Sequence, residues 1–321
     1  METLSFACYN KNEKERLMSS SGGVYPLIAK EVLNNGGVIF AVCYDSKFET
    51  VHKKIETFED LKLSQGSKYI PSKLNDTFKE IKAILHEERP VMFVGTPCQC
   101  GGLVSFLGDK RDKLICVDFV CHGVPSRRIW RNYLDGQVGK EQLNELNMRD
   151  KTLGWSKYNY NWKLTFNSGE ERIIPQGNVK YMKGFTGDYF LRPSCYECRF
   201  KGAERSTDIT LGDFWGIWNI HPDMDDDKGT SLVFVHSKKG LELFESIKNN
   251  LIWKQTSVEE AVKSNPSIMN SANKTDRRAS FYKTFNSCED FDVSLESVSK
   301  TSSIQKVKRK TKHLLKKVFK K

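Results

Sequence analysis

The segment Val91-Met-Phe-Val-Gly-Thr-Pro-Cys98 decides the fold. Its first four residues are apolar, and the four residues that follow are typical of a turn. A short apolar run that ends at such a turn predicts a buried strand of a parallel sheet. Residues 114–120, which run into Cys121-His-Gly123, repeat the pattern. Because ligands bind at the carboxyl ends of parallel strands, we expect Cys98 and Cys121 to line one crevice.

Strands and helices alternate on both sides of this segment, which predicts an α/β fold. Between residues 4 and 134, we expect further strands at residues 4–9 and 38–44 and helices at residues 25–33, 74–87 and 125–134. Beyond residue 140 we expect antiparallel strands at 158–166 and 171–174, further strands at 208–211 and 231–236, and a helix at 240–247. The prediction is a mixed sheet flanked by helices with an inserted antiparallel segment, and an α+β arrangement is the alternative.

The positive charge of the chain is concentrated at its carboxyl end. The 321 residues have a formal net charge of +11, and residues 306–321 contain nine Lys and Arg and no acidic residue. The remainder is nearly neutral, which argues against a basic groove across the fold and against specific nucleic-acid binding. Apolar residues recur at helical spacing within residues 306–321, which predicts a basic amphipathic helix for an anionic membrane surface. A solvated tail and nonspecific nucleic-acid binding by the tail are the alternatives.

The sequence favours a cytoplasmic protein that rests through this tail on the inner face of the membrane. It contains no apolar run of the length that a membrane span requires, and residues 1–8 do not have the pattern of a secretory signal. In the reducing cytoplasm, nine cysteines are not expected to form disulfides. We interpret Cys8, Cys43 and Cys288 as buried core residues.

Two further motifs offer groups for a metal or a cofactor. Cys195-Tyr-Glu-Cys198 has the spacing that zinc and iron–sulfur sites use. A structural zinc scaffold held by these two cysteines with Cys98 and with Cys121 or His122 is therefore one hypothesis. Ser19-Ser-Ser-Gly-Gly23, between a predicted strand and a predicted helix, fits an anion or cofactor cradle, and an ordinary N-cap loop is the alternative.

Seven motifs in a fixed order resemble the coenzyme F420 hydrogenase/dehydrogenase beta-subunit family. The resemblance covers approximately residues 3–250. The motifs are Ser19-Ser-Ser-Gly-Gly23, Gly66-Ser-Lys-Tyr69, Gly95-Thr-Pro-Cys-Gln99, Cys121-His-Gly-Val-Pro-Ser126, Cys195-x-x-Cys198, Asp208-Ile-Thr-Leu-Gly-Asp-Phe-Trp-Gly216 and Lys228-Gly-Thr-Ser231.

The resemblance implies an iron–sulfur flavoprotein oxidoreductase that passes electrons between FAD and a [4Fe-4S] cluster. It also implies coenzyme F420 as a candidate co-substrate, and a redox partner protein or a soluble electron donor. The implied cluster ligands are Cys98, Cys121, Cys195 and Cys198, with Cys100 as the first substitute and Cys116 as a spare. The implied flavin and substrate surroundings are Ser19, Ser20, Ser21, Gly22, Gly23, Ser67, Lys68, Tyr69, Thr96, His122, Lys228, Gly229 and Thr230. His122 and Lys68 are the candidate catalytic residues.

The sequence also departs from many relatives, which have a ferredoxin-like segment before the serine–glycine motif. Here that motif begins at Ser19, so we expect a single cluster. Short relatives occur in bacteria alongside polysaccharide biosynthesis, which makes a role there an expectation. We divide the chain into an α/β flavin-binding region at 1–140, a region at 141–290 that completes the iron–sulfur and flavin site, a polar linker at 291–305 and the tail at 306–321. The sequence does not determine the oligomeric state.

Overall fold

A computed structural model describes residues 1–139, 141–155 and 160–299 of the chain. The predicted tail at 306–321 and the end of the predicted linker lie outside the described residues. The described chain forms an eight-stranded mixed sheet flanked by helices, and a separate three-stranded antiparallel sheet. This architecture confirms the predicted α/β class and the inserted antiparallel segment. None of the described helices is both long enough and apolar enough to cross a membrane.

Eight of the eleven described strands coincide with predicted runs, whereas three were not predicted. In chain order the strands are β1 Leu4–Asn10, β2 Val38–Tyr44, β3 Thr50–Ile55, β4 Val91–Gly95, β5 Leu114–Phe119, β6 Leu143–Asp150, β7 Asn161–Phe166, β8 Glu171–Pro175, β9 Ile209–Asp213, β10 Ser231–Val235 and β11 Leu251–Thr256. The three that were not predicted are β3, β6 and β11. The large sheet has the order β11-β1-β10-β9-β5-β4-β2-β3, and the small sheet has the order β6-β7-β8.

The helices cover both faces of the large sheet and one side of the small sheet. In chain order they are α1 Glu13–Met18, α2 Val24–Asn34, α3 Phe58–Ser64, α4 Thr77–His86, α5 Pro97–Leu107, α6 Arg127–Val138, α7 Lys180–Thr186, α8 Ile217–Ile220, α9 Lys238–Ile247, α10 Val258–Lys263, α11 Asp276–Cys288 and α12 Phe291–Ser299.

Four parallel strands form the centre of the large sheet. β2 pairs with β4, β4 with β5 and β5 with β9 in parallel, and antiparallel strands extend the sheet on both sides. Along β4, Met92 joins one hydrophobic core, whereas Val91 and Phe93 join the core on the opposite face. A strand that is buried on both faces reads as a continuous apolar run, which is why this stretch could be recognised from the sequence.

The predicted turn after β4 is wrong, because the chain enters α5 at once. Thr96 is the N-cap of α5 and Pro97 is its first residue, a position where the missing N–H of proline costs nothing. The Gln99 side chain accepts a hydrogen bond from the Thr96 N–H at 3.0 Å, which completes a capping box. Cys98 therefore lies in the first turn of a helix.

The predicted polar linker is also wrong over residues 291–299, which form α12. Phe291, Leu295 and Val298 of this helix are buried in an aromatic core together with Phe281 and Phe285 of α11. These apolar residues recur every three or four positions, so each helix has an apolar stripe that its polar overall composition conceals.

The boundary predicted at residue 140 does not separate two sheets. The large sheet takes β1 to β5 from one side of this position and β9 to β11 from the other. Cys8 and Cys43 are buried, as predicted, but Cys288 is exposed at the end of α11, so its prediction as a core residue is wrong. The two halves of the sequence therefore fold around common elements.

Candidate active site

A cleft of about 370 Å³ lies at the carboxyl ends of the parallel strands. Val94 of β4, Phe119 of β5 and Leu211 of β9 contribute to its wall. Cys98 and Cys121, from the segments that follow β4 and β5, both line it, which confirms the crevice expected from the sequence. The volume is in the range of small-molecule and cofactor sites.

The serine loop, residues 19–23, forms one wall of the cleft. It follows α1 rather than a strand, and Ser19, Ser20, Ser21 and Gly23 reach the cleft. Gly23 has a φ of +79° and is the N-cap of α2, with no side-chain capping bond to the first-turn N–H groups. The loop therefore presents hydroxyl groups beside a helix amino terminus, which is an arrangement suited to an anion.

A second segment, residues 64–69, lines the cleft in direct contact with the serine loop. Ser20 Oγ accepts hydrogen bonds from the Ser67 N–H at 2.6 Å and the Ser67 hydroxyl at 2.9 Å, which ties the two loops together. Lys68 donates to the carbonyl oxygens of Ser64, Gln65 and Gly66 within its own loop. Burial lowers the pKa of Lys68 to about 8. Because all three acceptors belong to the loop, Lys68 has a structural role that the sequence did not indicate.

His122 lies in the cleft and is held by a buried carboxylate. Its Nε2 atom is 2.7 Å from Oδ1 of Asp188, and Oδ2 of Asp188 accepts a hydrogen bond from the Asn273 N–H at 2.9 Å. The His122 ring packs beside Phe185, with ring centroids 5.0 Å apart. A carboxylate on one ring nitrogen fixes the orientation of an imidazole, so His122 can hold or transfer a proton at the cleft. The sequence analysis missed Asp188, which belongs to no motif.

The four predicted cluster ligands, Cys98, Cys121, Cys195 and Cys198, are called the four-thiol site below. Cys98 and Cys121 line the cleft, whereas Cys195 and Cys198 are not part of its wall but are close enough to act electrostatically on Cys121. The Val124 N–H donates to Cys195 Sγ at 3.3 Å, which joins the segment after β5 to the Cys195–Cys198 turn. Burial, together with the charges of the other three thiols, raises the pKa of Cys121 to about 12. Lys201 donates to the Cys121 carbonyl oxygen at 2.5 Å, and its charge opposes this rise.

Zinc and iron–sulfur clusters both bind thiolates, so the four-thiol site has the donor type that either group requires. Among the described residues, no group of three or more His, Cys, Asp or Glu side chains converges on the position of one metal ion. A zinc site requires its sulfur ligands at about 2.3 Å from one point. A [4Fe-4S] cluster takes its four thiolates at four different iron atoms and so spaces them more widely. Four thiolates match the ligand set of a [4Fe-4S] cluster.

Cys100 and Cys116 lie away from this site. Both are buried in the core between α5 and the sheet, and the Cys100 thiol lies 3.8 Å from the Val117 carbonyl oxygen. Burial, followed by contact with Cys116, raises the pKa of Cys100 well above its ordinary value. The structure therefore places Cys98, and not its predicted substitute Cys100, at the cleft.

Lys228, Gly229 and Thr230 were predicted near the flavin, but the structure places none of them in the wall of the cleft. The Lys228 ammonium pairs with Glu13 at the surface, and the Thr230 carbonyl oxygen accepts a hydrogen bond from Ser21. These three residues support the serine loop from behind. Gly22 has a similar place, because a Cβ atom there would lie 2.5 Å from the Cys8 carbonyl oxygen. Ser67, Tyr69 and Thr96 do line the cleft.

Two buried cations behind the serine loop escaped the sequence analysis. Arg149 is 5% exposed, donates to the Ser20 carbonyl oxygen at 3.2 Å and forms an ion pair with Asp213 at 2.9 Å. Lys151 is 8% exposed and donates to the carbonyl oxygens of Arg16, Ser21 and Lys228. Both cations come from the end of β6 and the residue after it, so the antiparallel segment fixes the loop. An Arg-x-Lys pattern at the end of a strand does not indicate that either side chain is buried, so the sequence could not predict these two residues.

The comparisons with known proteins agree with this arrangement. Residues 88–261, more than half of the chain, match the family model that describes the C terminus of the coenzyme F420 hydrogenase/dehydrogenase beta subunit. Among solved structures, the fold is similar to a chain of the F420-reducing [NiFe] hydrogenase complex from Methanosarcina barkeri. That match has a TM-score of 0.55 and 16% identity and covers 83% of this chain and 85% of the other. No curated protein matches significantly. On the family match, this chain belongs to the coenzyme F420 hydrogenase/dehydrogenase beta-subunit family.

Proposed function

We propose that this protein is an iron–sulfur flavoprotein oxidoreductase. In this proposal the cleft holds the flavin of FAD, and the four-thiol site holds a [4Fe-4S] cluster. The observation that carries the proposal is that Cys98 and Cys121 line a cofactor-sized cleft and that Cys195 and Cys198, from a distant part of the chain, lie within electrostatic range of Cys121. Membership of a family of redox proteins supports the same role.

The residues of the cleft fit a flavin. Its wall combines an apolar part, including Val94 and Leu211, with the hydroxyl groups of the serine loop at the start of α2. Flat ring systems are held by apolar walls, and phosphate groups bind to hydroxyl groups and N–H groups at helix amino termini. The Ser20–Ser67 contact holds the two loops at a fixed separation, so the cleft is formed before a ligand enters.

The two cofactors would supply conversion between two-electron and one-electron transfer. The polypeptide would position the substrate and hold a proton. His122 is the residue placed for proton transfer, because Asp188 orients its ring while the ring borders the cleft. Lys68 is the second candidate, but its hydrogens already bind three carbonyl oxygens.

The electron donor, the co-substrate and the pathway form a finer part of the proposal. Coenzyme F420 as co-substrate and a protein partner for electron exchange are supported by the family match and by the hydrogenase complex that contains the structural neighbour. A role in polysaccharide biosynthesis is supported by the association of short bacterial relatives with that process.

The proposal is tested by anaerobic purification followed by assay of iron, sulfide and flavin. We expect about four iron and four sulfide atoms per chain for a single [4Fe-4S] cluster, and one flavin. The absorbance of both groups should decrease on reduction. A reconstituted protein that binds neither group would refute the proposal.

The ligand set is tested by Cys198→Ala, with Cys288→Ser as the matched control. Cys198 belongs to the four-thiol site, whereas Cys288 is an exposed cysteine at the end of α11. We expect Cys198→Ala to lose most of its iron because a cluster needs all four thiolates, and Cys288→Ser to keep all of it. Full iron content in Cys198→Ala would contradict the assignment, and iron analysis by inductively coupled plasma spectrometry measures it.

A further inference from the structure

A second cavity, of about 330 Å³, adjoins the cleft. Pro71, Pro125 and Arg192 line both cavities, so the two spaces share a common wall. Arg127 and Arg278 complete the charged lining of the second cavity, which is called the arginine groove below. The arginine groove therefore lies directly beside the cleft.

The three arginines come from three separate parts of the chain. Arg127 is the first residue of α6, Arg192 follows α7 and Arg278 lies in the first turn of α11. The arginines that form ion pairs in the described part of the chain are others: Arg16, Arg89, Arg128, Arg131, Arg149, Arg172 and Arg205. Within the described chain, the positive charge of the groove is therefore not neutralised by a carboxylate in direct contact.

Two of the guanidinium groups are held in place by the protein. Arg127 donates through Nε to the Pro71 carbonyl oxygen at 3.1 Å, and Arg278 donates through Nε to the Leu191 carbonyl oxygen at 3.3 Å. Arg278 also lies 4.7 Å above the centre of the Tyr282 ring. Bonds through Nε fix the plane of a guanidinium group and direct its terminal amino groups elsewhere. This preorganisation lowers the entropic cost of binding an oxyanion.

The start of α6 adds to the positive character of the groove. Its N-cap residue, Ser126, lines the groove and makes no side-chain capping bond. The N–H groups in the first turn of a twelve-residue helix carry partial positive charge. The helix terminus and the three arginines thus both favour binding of a negatively charged group.

We propose that the arginine groove binds a phosphate or carboxylate group. Guanidinium groups pair with both oxyanions through two parallel hydrogen bonds, and three permanent charges favour a ligand with two negative charges. Binding of the oxyanion does not depend on a flavin. The further step, that the oxyanion belongs to the substrate that exchanges electrons in the cleft, rests on the proposed function.

The test is calorimetric titration of the full chain with inorganic pyrophosphate and, separately, with glutarate at constant ionic strength. We expect at least one of the two probes to bind, and their relative affinities distinguish a phosphate site from a carboxylate site. Arg192→Gln should weaken that binding by about tenfold, because it removes one charge-assisted contact. Among the described residues, the Arg192 side chain forms no hydrogen bond or ion pair, and its electrostatic interaction within the protein is with Cys195.

Arg131→Gln is the matched control. Arg131 lies on α6, four residues beyond Arg127, but it pairs with Asp135 and does not line the groove. Its replacement removes the same charge and should leave the affinity unchanged. Arg192→Lys, which keeps the charge but not the planar fork, should give a smaller loss than Arg192→Gln.

The inference is overturned if neither probe binds. It is also overturned if Arg192→Gln binds as tightly as the unmodified protein, because the anion then binds elsewhere, as at the serine loop or the basic tail. Flavin and iron assays on the same preparations judge the proposed function separately. If the protein binds neither cofactor after reconstitution but Arg192→Gln still weakens anion binding, the groove is supported and only the redox proposal is refuted.

Discussion

Single residues behind the cleft determine the shape of its serine loop. Lys151 donates to three carbonyl oxygens, which matches the three hydrogens of an ammonium group. Burial, with Arg149 and Arg16 nearby, lowers the pKa of Lys151 to about 7. One buried side chain thereby joins α1, the serine loop and the loop at Lys228. Lys151 does not line the cleft, yet the position of the serine loop depends on it.

His52 gives the molecule a dependence of stability on pH. It is 5% exposed in β3, its Nε2 donates to the Val94 carbonyl oxygen at 3.1 Å and its ring stacks on Phe93. Burial lowers the pKa of His52 to about 4, whereas an unfolded histidine has a pKa near 6.5. As the pH falls from 6.5 towards 4, the unfolded state binds a proton that the folded state excludes. We expect this group to lower the free energy of unfolding by about 2 kcal/mol between pH 7 and pH 5.

Urea unfolding at the two pH values, on the unmodified protein and on His52→Gln, measures this contribution. Glutamine keeps a donor for the Val94 carbonyl oxygen but does not titrate, so the loss between pH 7 and pH 5 should be about 2 kcal/mol smaller in the variant. His86→Gln, at the exposed end of α4, should behave like the unmodified protein. An equal pH dependence in His52→Gln and the unmodified protein would show that His52 makes no such contribution.

At the scale of elements, the close packing of the serine loop against β1 and β10 positions it at the cleft. The Gly22 N–H donates to Ser231 Oγ at 2.9 Å, and a Cβ atom at Gly22 would lie 2.7 Å from the Ser231 nitrogen. Backbone atoms cannot move aside as a flexible side chain can. The glycine is therefore required by the approach of a loop to two strands, and no positive φ is involved.

We expect Gly22→Ala to lower the free energy of unfolding by about 2 kcal/mol, because the added methyl group overlaps backbone atoms of both strands. Gly136→Ala is the matched control, since Gly136 is an exposed residue of α6 with no atom within 4 Å of an added Cβ. There the change should raise the free energy of unfolding by about 0.5–1 kcal/mol. Differential scanning calorimetry measures both, and stabilisation by Gly22→Ala would contradict the packing described for the loop.

At the scale of the whole molecule, the large sheet brings together cysteines almost a hundred residues apart. Cys98 and Cys121 follow parallel strands, while Cys195 and Cys198 come from the segment that leads into β9. Lys201, three residues after Cys198, donates to the Cys121 carbonyl oxygen, and this contact holds the segment at the carboxyl end of β5. The aromatic core, which includes α11 and α12, fixes the antiparallel sheet beside them.

We propose that residues 306–321 bind an anionic membrane surface, a prediction from the nine basic residues of the tail. The full chain should co-sediment with vesicles that contain phosphatidylglycerol, and high salt should release it. A chain that ends at residue 305 should remain in solution. Vesicles of phosphatidylcholine alone are the control, because they lack the negative charge. Equal sedimentation of the two chains with anionic vesicles would refute a role of the tail in membrane binding.

The sequence by itself determined the local parts of this protein. β2 and β4 were recognisable because strands buried on both faces are continuous apolar runs, and the seven motifs identified the family. Helices α11 and α12 were missed, since their apolar residues are few and only their spacing reveals a buried stripe.

Only the tertiary structure decided which residues meet. It shows that Cys98 lines the cleft while Cys100 is buried in the core, and that Lys228 lies outside the wall of the cleft. It also reveals Asp188, Arg149 and the arginine groove, which the sequence did not indicate. Hydrogen bonds and ion pairs between residues far apart in the chain do not produce a periodic pattern in the sequence, so they cannot be predicted from it. Strand pairing sets these neighbours, and for that reason the site had to be read from the folded chain.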